Sequence, residues 1–312
     1  MPSVFRSVRT ATSLGVSLTT ALLLAGCGAI ADDAGDGRRA VAAFYPLAWV
    51  TGRVAGEEWQ VTNLTAPGAE PHDLSLDIAQ TAEVSRADLV VIEHGFQPAI
   101  DETVETNAPD AAIIDAVEVV DLMSTEEHDH ESEGSGHEHG DLDPHFWQDP
   151  LLMADLAAAV AERLAEIDPD QASAYADRAG ALRTELEDLD AAFSAGLATC
   201  ERTTTVVSHE AFSYLARYGL TFEAIVGLSP DSEPTPADLA RLQELVTREG
   251  ITTVFSERLT SSTMSESLAG DLGIETEVLD QLEGLSDETA DEDYLSLMRE
   301  NLAALQKANA CS

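Results

Sequence analysis

DPDQASAYADRAGALRTELEDLDAAFSAGL, residues 168–197, decides how the rest of the chain is to be read. Asp168-Pro169 is a helix-start signal: the Asp side chain can accept from free N–H groups, and Pro fits the first turn, where its missing N–H is not needed. Beyond it Tyr175, Ala179, Leu182, Leu186, Leu189, Phe193 and Leu197 step by threes and fours, which gives one apolar face at the helical period. Residues 170–197 therefore predict roughly 42 Å of helix at 1.5 Å per residue. A helix that long in mid-chain reads as a rigid strut between two lobes.

The flanks agree. Upstream, Asp149-Pro150 carries the same start signal, and Leu152, Leu156, Val160, Leu164 and Ile167 form one apolar face. Short apolar runs at 40–44 (stopped by Pro46), 59–64, 88–92 and 111–115 read as strands, with helical spacing over 75–86. Downstream, strands are expected at 203–207, 221–226, 251–255 and 274–279, with helices at 236–249 and 293–308. Strands alternating with helices define an α/β class. The expected architecture is two lobes, each a roughly four-stranded, mostly parallel sheet flanked by helices. The boundaries fall at 40–168 for the first lobe, 169–199 for the linker helix and 200–312 for the second.

The N-terminus reads as a targeting segment and is excluded from the fold. Arg6 and Arg9 precede an apolar run over 11–25, which ends in Leu24-Ala25-Gly26-Cys27. That ending resembles a bacterial lipoprotein box, with a signal peptide at 1–26, a lipidated Cys27 and a flexible tether over 27–39. An ordinary secretory signal or an uncleaved anchor is the alternative, although the run is short for a span. The expected location is extracytoplasmic, lipid-anchored to the cell membrane, at the surface or in a periplasm. Net charge is −42, which excludes nucleic acid as a partner because a polyanion is repelled at every approach. Cys200 and Cys311 remain as an even pair in an exported chain, and a disulfide between them is expected.

Five of the eight histidines lie in HDHESEGSGHEHGDLDPHFWQDP, residues 128–150. His128, His130, His137 and His139 sit in a low-complexity acidic tract, expected to be a mobile loop over 124–142 that binds metal weakly or serves only as a solvated linker. His145 follows in an ordered-looking segment. His72 stands on a Pro- and Gly-rich loop after a strand, and alone would be read as a solvated loop histidine. His209 and Asp280 each follow a strand as well. In open α/β sheets, ligands bind outside the carboxyl ends of strands. Two such ends facing each other would gather His72 and His145 from one lobe with His209 and Asp280 from the other. Three imidazoles and a carboxylate suit tetrahedral Zn2+. Glu257 is the alternative fourth ligand, and His94, also near a strand end, has no role assigned.

These segments resemble the metal-specific solute-binding lipoproteins of bacterial zinc/manganese ABC importers, closest to the ZnuA-like zinc branch. The resemblance is carried by Phe44-Tyr45-Pro46, residues 68–72, the His-rich acidic tract, residues 143–150, residues 208–214 and residues 278–285. It implies two lobes on one rigid helix with metal in the cleft, and delivery to a membrane permease driven by a cytoplasmic ATPase, by a monomer that is not an enzyme. It places the ligands at His72, His145 and His209, with Asp280 at the common carboxylate position. Manganese-type members place Glu where this chain has His209, so zinc is favoured. The alternatives are a Mn2+ or Fe2+ receptor, or a metal-retaining cell adhesin, of the same fold. A zinc hydrolase is a poorer reading, since no HExxH or Gly-x-Ser-x-Gly run is present and a fourth protein ligand would fill the open position.

Overall fold

A computed structural model describes residues 37–108, 110–124 and 142–312. The expected leader, Cys27, most of the tether, and His128, His130, His137 and His139 lie outside the described residues. Within them, no helix is long and apolar enough to cross a membrane.

The first sheet contains β1 (Arg38–Ala42), β2 (Trp59–Asn63), β3 (Leu89–Ile92) and β4 (Ala112–Asp115) in the order β2-β1-β3-β4, every pair parallel. β3 reads Leu-Val-Val-Ile and is buried on both faces, as a central parallel strand covered by helices should be. Those helices include α1 (Tyr45–Ala55), α2 (Ile78–Ser85) and α3 (Pro98–Asn107), with one short turn, α4 (Ala116–Val119), after β4. The reading of Pro46 as a strand stop is corrected. β1 ends at Ala42, and Pro46 lies in the first turn of α1, where its fixed φ suits helix initiation.

Two residues each of β5 (Met123–Ser124) and β6 (Leu142–Asp143) pair antiparallel, closing the base of the histidine-rich insertion. The chain then enters α5 (Pro150–Ile167), where Asp149 accepts from the N–H of Leu151 as the start signal requires. A short 3-10 turn at Pro169–Gln171 leads into the 25-residue strut, α6 (Ala172–Gly196). Its buried residues are Tyr175, Ala179, Leu182, Leu186, Leu189 and Phe193, six of the seven apolar positions read from sequence. Leu197 lies one residue beyond and is also buried. Each buried large side chain contributes about 1.5–3 kcal/mol. Arg178 on the strut donates to the carbonyls of Val54 and Ala55, satisfying the end of α1.

The second lobe repeats the plan with β7 (Thr204–Val207), β8 (Thr221–Ala224), β9 (Thr253–Ser256) and β10 (Glu275–Val278), ordered β10-β9-β7-β8 and all parallel. Around it lie α7 (Pro236–Glu249), α8 (Thr263–Leu272) and α9 (Tyr294–Asn309). Cys200 and Cys311 form a disulfide that joins the chain after the strut to the second residue beyond α9, as expected. One apolar core runs through both lobes, from Phe44 and Leu89 to Phe212, Leu279 and Leu297, and a smaller one lies under α7 and α8.

The lobes are also tied by hydrogen bonds at the cleft. Trp147 Nε1 and Gln148 Nε2 both donate to the carbonyl of Gln281, at 2.8 and 2.7 Å, and the Tyr294 hydroxyl donates to the carbonyl of Trp147 at 2.6 Å. Tyr214 donates to the carbonyl of Asp143, and the N–H of Gly68 donates to the carbonyl of Leu285.

Candidate metal centre

Every group in the cleft is delivered by a segment that follows a strand. The loop after β2 is pinned by Thr65, which donates to the carbonyl of Ala43, and by Gln97, which donates to the carbonyl of Pro71. His72 comes next. Asp143, at the end of β6, accepts from both the N–H and Nδ1 of His145, so a single carboxylate fixes the turn and the ring. His209 follows β7, and Glu257, just past β9, accepts from its Nδ1 at 2.6 Å. The second oxygen of Glu257 accepts from Thr260, and Ser208 donates to the first. A carboxylate on Nδ1 selects the tautomer that leaves Nε2 as a lone-pair donor.

The three Nε2 atoms converge on Glu283 Oε1, at 3.6 Å from His72, 3.6 Å from His145 and 3.7 Å from His209. One donor atom from each of the four residues lies within 4.8 Å of every other. All three Nε2 atoms and both Glu283 oxygens are buried without a hydrogen-bond partner. Buried donors and acceptors are nearly always satisfied, so four unpaired atoms gathered at one point call for a bound group. Zinc bonds of 2.0–2.1 Å in a tetrahedron put ligand atoms about 3.3 Å apart, so the contacts to Glu283 would shorten by a few tenths of an ångström, and the widest pair of the set by up to about 1.5 Å, to close around an ion. Phe96 and Trp147 pack their rings against His72 and His145 and help keep the pocket dry.

Electrostatics hold the metal-free pocket together. Burial pushes the Glu283 carboxyl up, but attraction to the nearby His209 and His72 rings outweighs it and holds it well below the usual carboxylate range. For His209, burial favours the neutral ring, yet Glu257 and Glu283 raise it to about 10. A proton on His209 thus faces an ionised Glu283. Glu70 stands at the rim with Oε1 buried, unpartnered and 3.9 Å from His72 Nε2; burial chiefly raises its carboxyl.

The structure brings His72, His145 and His209 together and does not bring Asp280 with them. That expectation is corrected to Glu283. Asp280 accepts from Arg258 on one oxygen and from the N–H of Leu282 on the other, while Asn301 pairs with its backbone on both sides. Asp280 is therefore committed to shaping the loop. Leu282 adopts a left-handed φ of 62°, and this turn swings the next residue, Glu283, into the pocket. Glu257, the alternative, lies behind His209 as its hydrogen-bond partner. His94 is outside the group, with Nδ1 3.4 Å from Asp101 Oδ1. Sequence reasoning missed Glu283 and the orienting role of Asp143. The only signal for either was its closeness to a chosen residue, three positions after Asp280 and two before His145.

Two parallel lobes on one helix, with a dry three-imidazole, one-carboxylate pocket between them, define a two-lobed solute-binding protein. Residues 40–308 match the family described as zinc-uptake complex component A, periplasmic (ZnuA), and the chain belongs to that family. It is 34% identical over 282 residues to the zinc-binding lipoprotein AdcA of Streptococcus pneumoniae, an alignment that covers 86% of this chain and 55% of that protein. The chain thus spans about half the length of that relative. It is 33% identical over 297 residues to the high-affinity zinc uptake system protein ZnuA of Bacillus subtilis, covering 91% and 93% of the two chains. The Zn(II)-bound ZnuA-like domain of S. pneumoniae AdcA superposes with a TM-score of 0.73 at 31% identity, covering 88% of this chain and 99% of that one.

Proposed function

We propose that this protein is an extracytoplasmic receptor for Zn2+ that hands its ion to an ABC-type permease driven by a cytoplasmic ATPase, and that Cys27 carries the lipid holding it at the membrane. His72, His145, His209 and Glu283 are the ligands in this reading. Convergence of three unpartnered Nε2 atoms on one unpartnered buried carboxylate carries it. Three nitrogen donors and one oxygen fit zinc better than manganese, which prefers carboxylate, carbonyl and water ligands. Four protein donors fill a tetrahedron, so an ion held this way is cargo, with no open position for a catalytic water.

Metal analysis of the mature protein beside His72→Ala, His145→Ala, His209→Ala and Glu283→Gln tests the ligand set. One tight zinc equivalent is expected, lost or greatly weakened in each variant. Competition between Zn2+ and Mn2+ tests the choice of metal, and even competition would remove the zinc assignment.

A further inference from the structure

His145 lies in the segment 143–149, and one turn of the second lobe holds that segment at both ends. This is the 3-10 turn Ser213–Tyr218, which follows His209 in the chain. At one end Arg217 donates to the Asp149 carboxylate at 2.6 Å, and the same carboxylate caps α5. At the other end the Tyr214 hydroxyl donates to the carbonyl of Asp143 at 2.7 Å and accepts from the N–H of Met123 at 2.9 Å. Met123 and Asp143 are partners in the β5–β6 ladder, so one phenol from the second lobe bridges both strands of a first-lobe hairpin.

That bridge stands directly behind a ligand. Asp143 is buried, and its Oδ1 accepts from the N–H of His145 at 2.9 Å and from its Nδ1 at 2.7 Å. Any shift of the Asp143 backbone therefore moves the carboxylate that fixes the ring. A two-stranded ladder of two residues has little hold of its own, so the phenol supplies the restraint. Tyr214 is buried too, and burial pushes its hydroxyl up, which keeps it a neutral donor through the working pH range. His145 and His209 come from different lobes, yet both are fully buried with ring centroids 5.3 Å apart. The turn that continues from His209 thus sets where His145 stands.

We propose that Tyr214 is a positioning residue of the zinc centre: by holding the Asp143 carbonyl it sets the carboxylate that presents His145 Nε2 to the ion at a fixed spacing from His209. The proposal rests on the zinc-receptor reading above. Tyr214 touches no ion in this scheme and acts only through Asp143.

The test is a double-mutant cycle on the full chain, with zinc affinity read against a tight competing chelator at pH 7. Tyr214→Phe, which keeps the ring, should weaken zinc about tenfold, and Asp143→Ala about 10–100-fold. With Asp143 already replaced, removing the Tyr214 hydroxyl should change affinity less than about twofold, because its route to His145 is gone. Co2+ bound in place of Zn2+ gives visible bands that follow ligand geometry, and these should shift in Tyr214→Phe. Tyr175→Phe is the comparison, since it removes another buried hydroxyl, one that accepts from Trp59 Nε1 at 2.9 Å. It should lower the melting temperature to a similar extent while affinity and Co2+ bands stay unchanged. Equal losses from Tyr214→Phe with and without the Asp143 side chain overturn the proposal, as do unchanged affinity and bands in the single variant. Absence of a tight zinc equivalent in the unaltered chain overturns the receptor reading instead.

Discussion

Raising the pH should tighten zinc binding well beyond the point where an ordinary histidine has finished titrating. In the metal-free pocket His209 titrates at about 10, because Glu257 and Glu283 outweigh the effect of burial. A zinc ligand must present a neutral imidazole, so every ion bound below that pH displaces a proton from His209. The apparent affinity should rise about tenfold per pH unit through the neutral range up to about 10. At pH 7 the gap is about three units, so the proton opposes binding by ~4 kcal/mol, a factor of about 1,000 in Kd. An imidazole at its ordinary value of about 6.5 would instead give a plateau above about pH 7.5. Chelator-buffered competition titrations at pH 7, 8 and 9 measure the slope. Calorimetry at pH 8 in two buffers of different ionisation enthalpy counts the released proton, expected to be about one. A flat affinity between pH 7.5 and 9, with no proton released, would refute the argument. The same raised value has a consequence for the metal-free fold: its contribution to stability is complete below about 6.5 and is lost as pH rises through about 10.

Glu283→Gln and Asp280→Asn should separate by readout: the first should weaken zinc at least 100-fold with little change in melting temperature. The second should lower thermal stability by about 1–3 kcal/mol, since a shaping carboxylate loses its charge-assisted bond to Arg258. Glu257→Gln should weaken zinc about 10–100-fold through the orientation of His209, measured by the same competition assay. Deleting residues 125–141 and joining the ends of the β5–β6 ladder with a two-residue turn should leave one tight equivalent and remove weaker ones, counted by metal analysis. Replacing Cys200 and Cys311 by Ser should cost about 4–5 kcal/mol in denaturant unfolding, because the bridge closes a loop of 111 residues, while zinc affinity stays unchanged.

Long periodic segments were legible in the sequence. The expected helix 236–249 is α7, Pro236–Glu249, because Thr235 caps it, Pro236 opens it and Gly250 ends it in a left-handed turn. The strut follows from its apolar periodicity and the eight sheet strands from short apolar runs, with ends shifted by up to three residues. α1 and α3 are harder to read because Pro46 and Pro98 look like breaks until the first helical turn forms around them. At the centre, the strand-end rule finds the loop after β10 but not which of its residues turns inward. Leu282 decides that by a left-handed backbone that carries no composition signal, and so the nearer carboxylate, Asp280, is read in place of Glu283.

The carbonyl of Gln281 accepts from both Trp147 and Gln148, two residues away from Glu283 on one side of the cleft and from His145 on the other. A latch fastened that close to the cargo cannot be undone by swinging whole lobes without first breaking buried bonds beside the ion. A smaller exit is a local displacement of the segment that bears His72, which gives up only the bonds from Gln97 to Pro71 and from Gly68 to Leu285 and whose His72 side chain, 14% exposed, is the only one of the four open to solvent. Along that route, unloading is the peeling of one short loop.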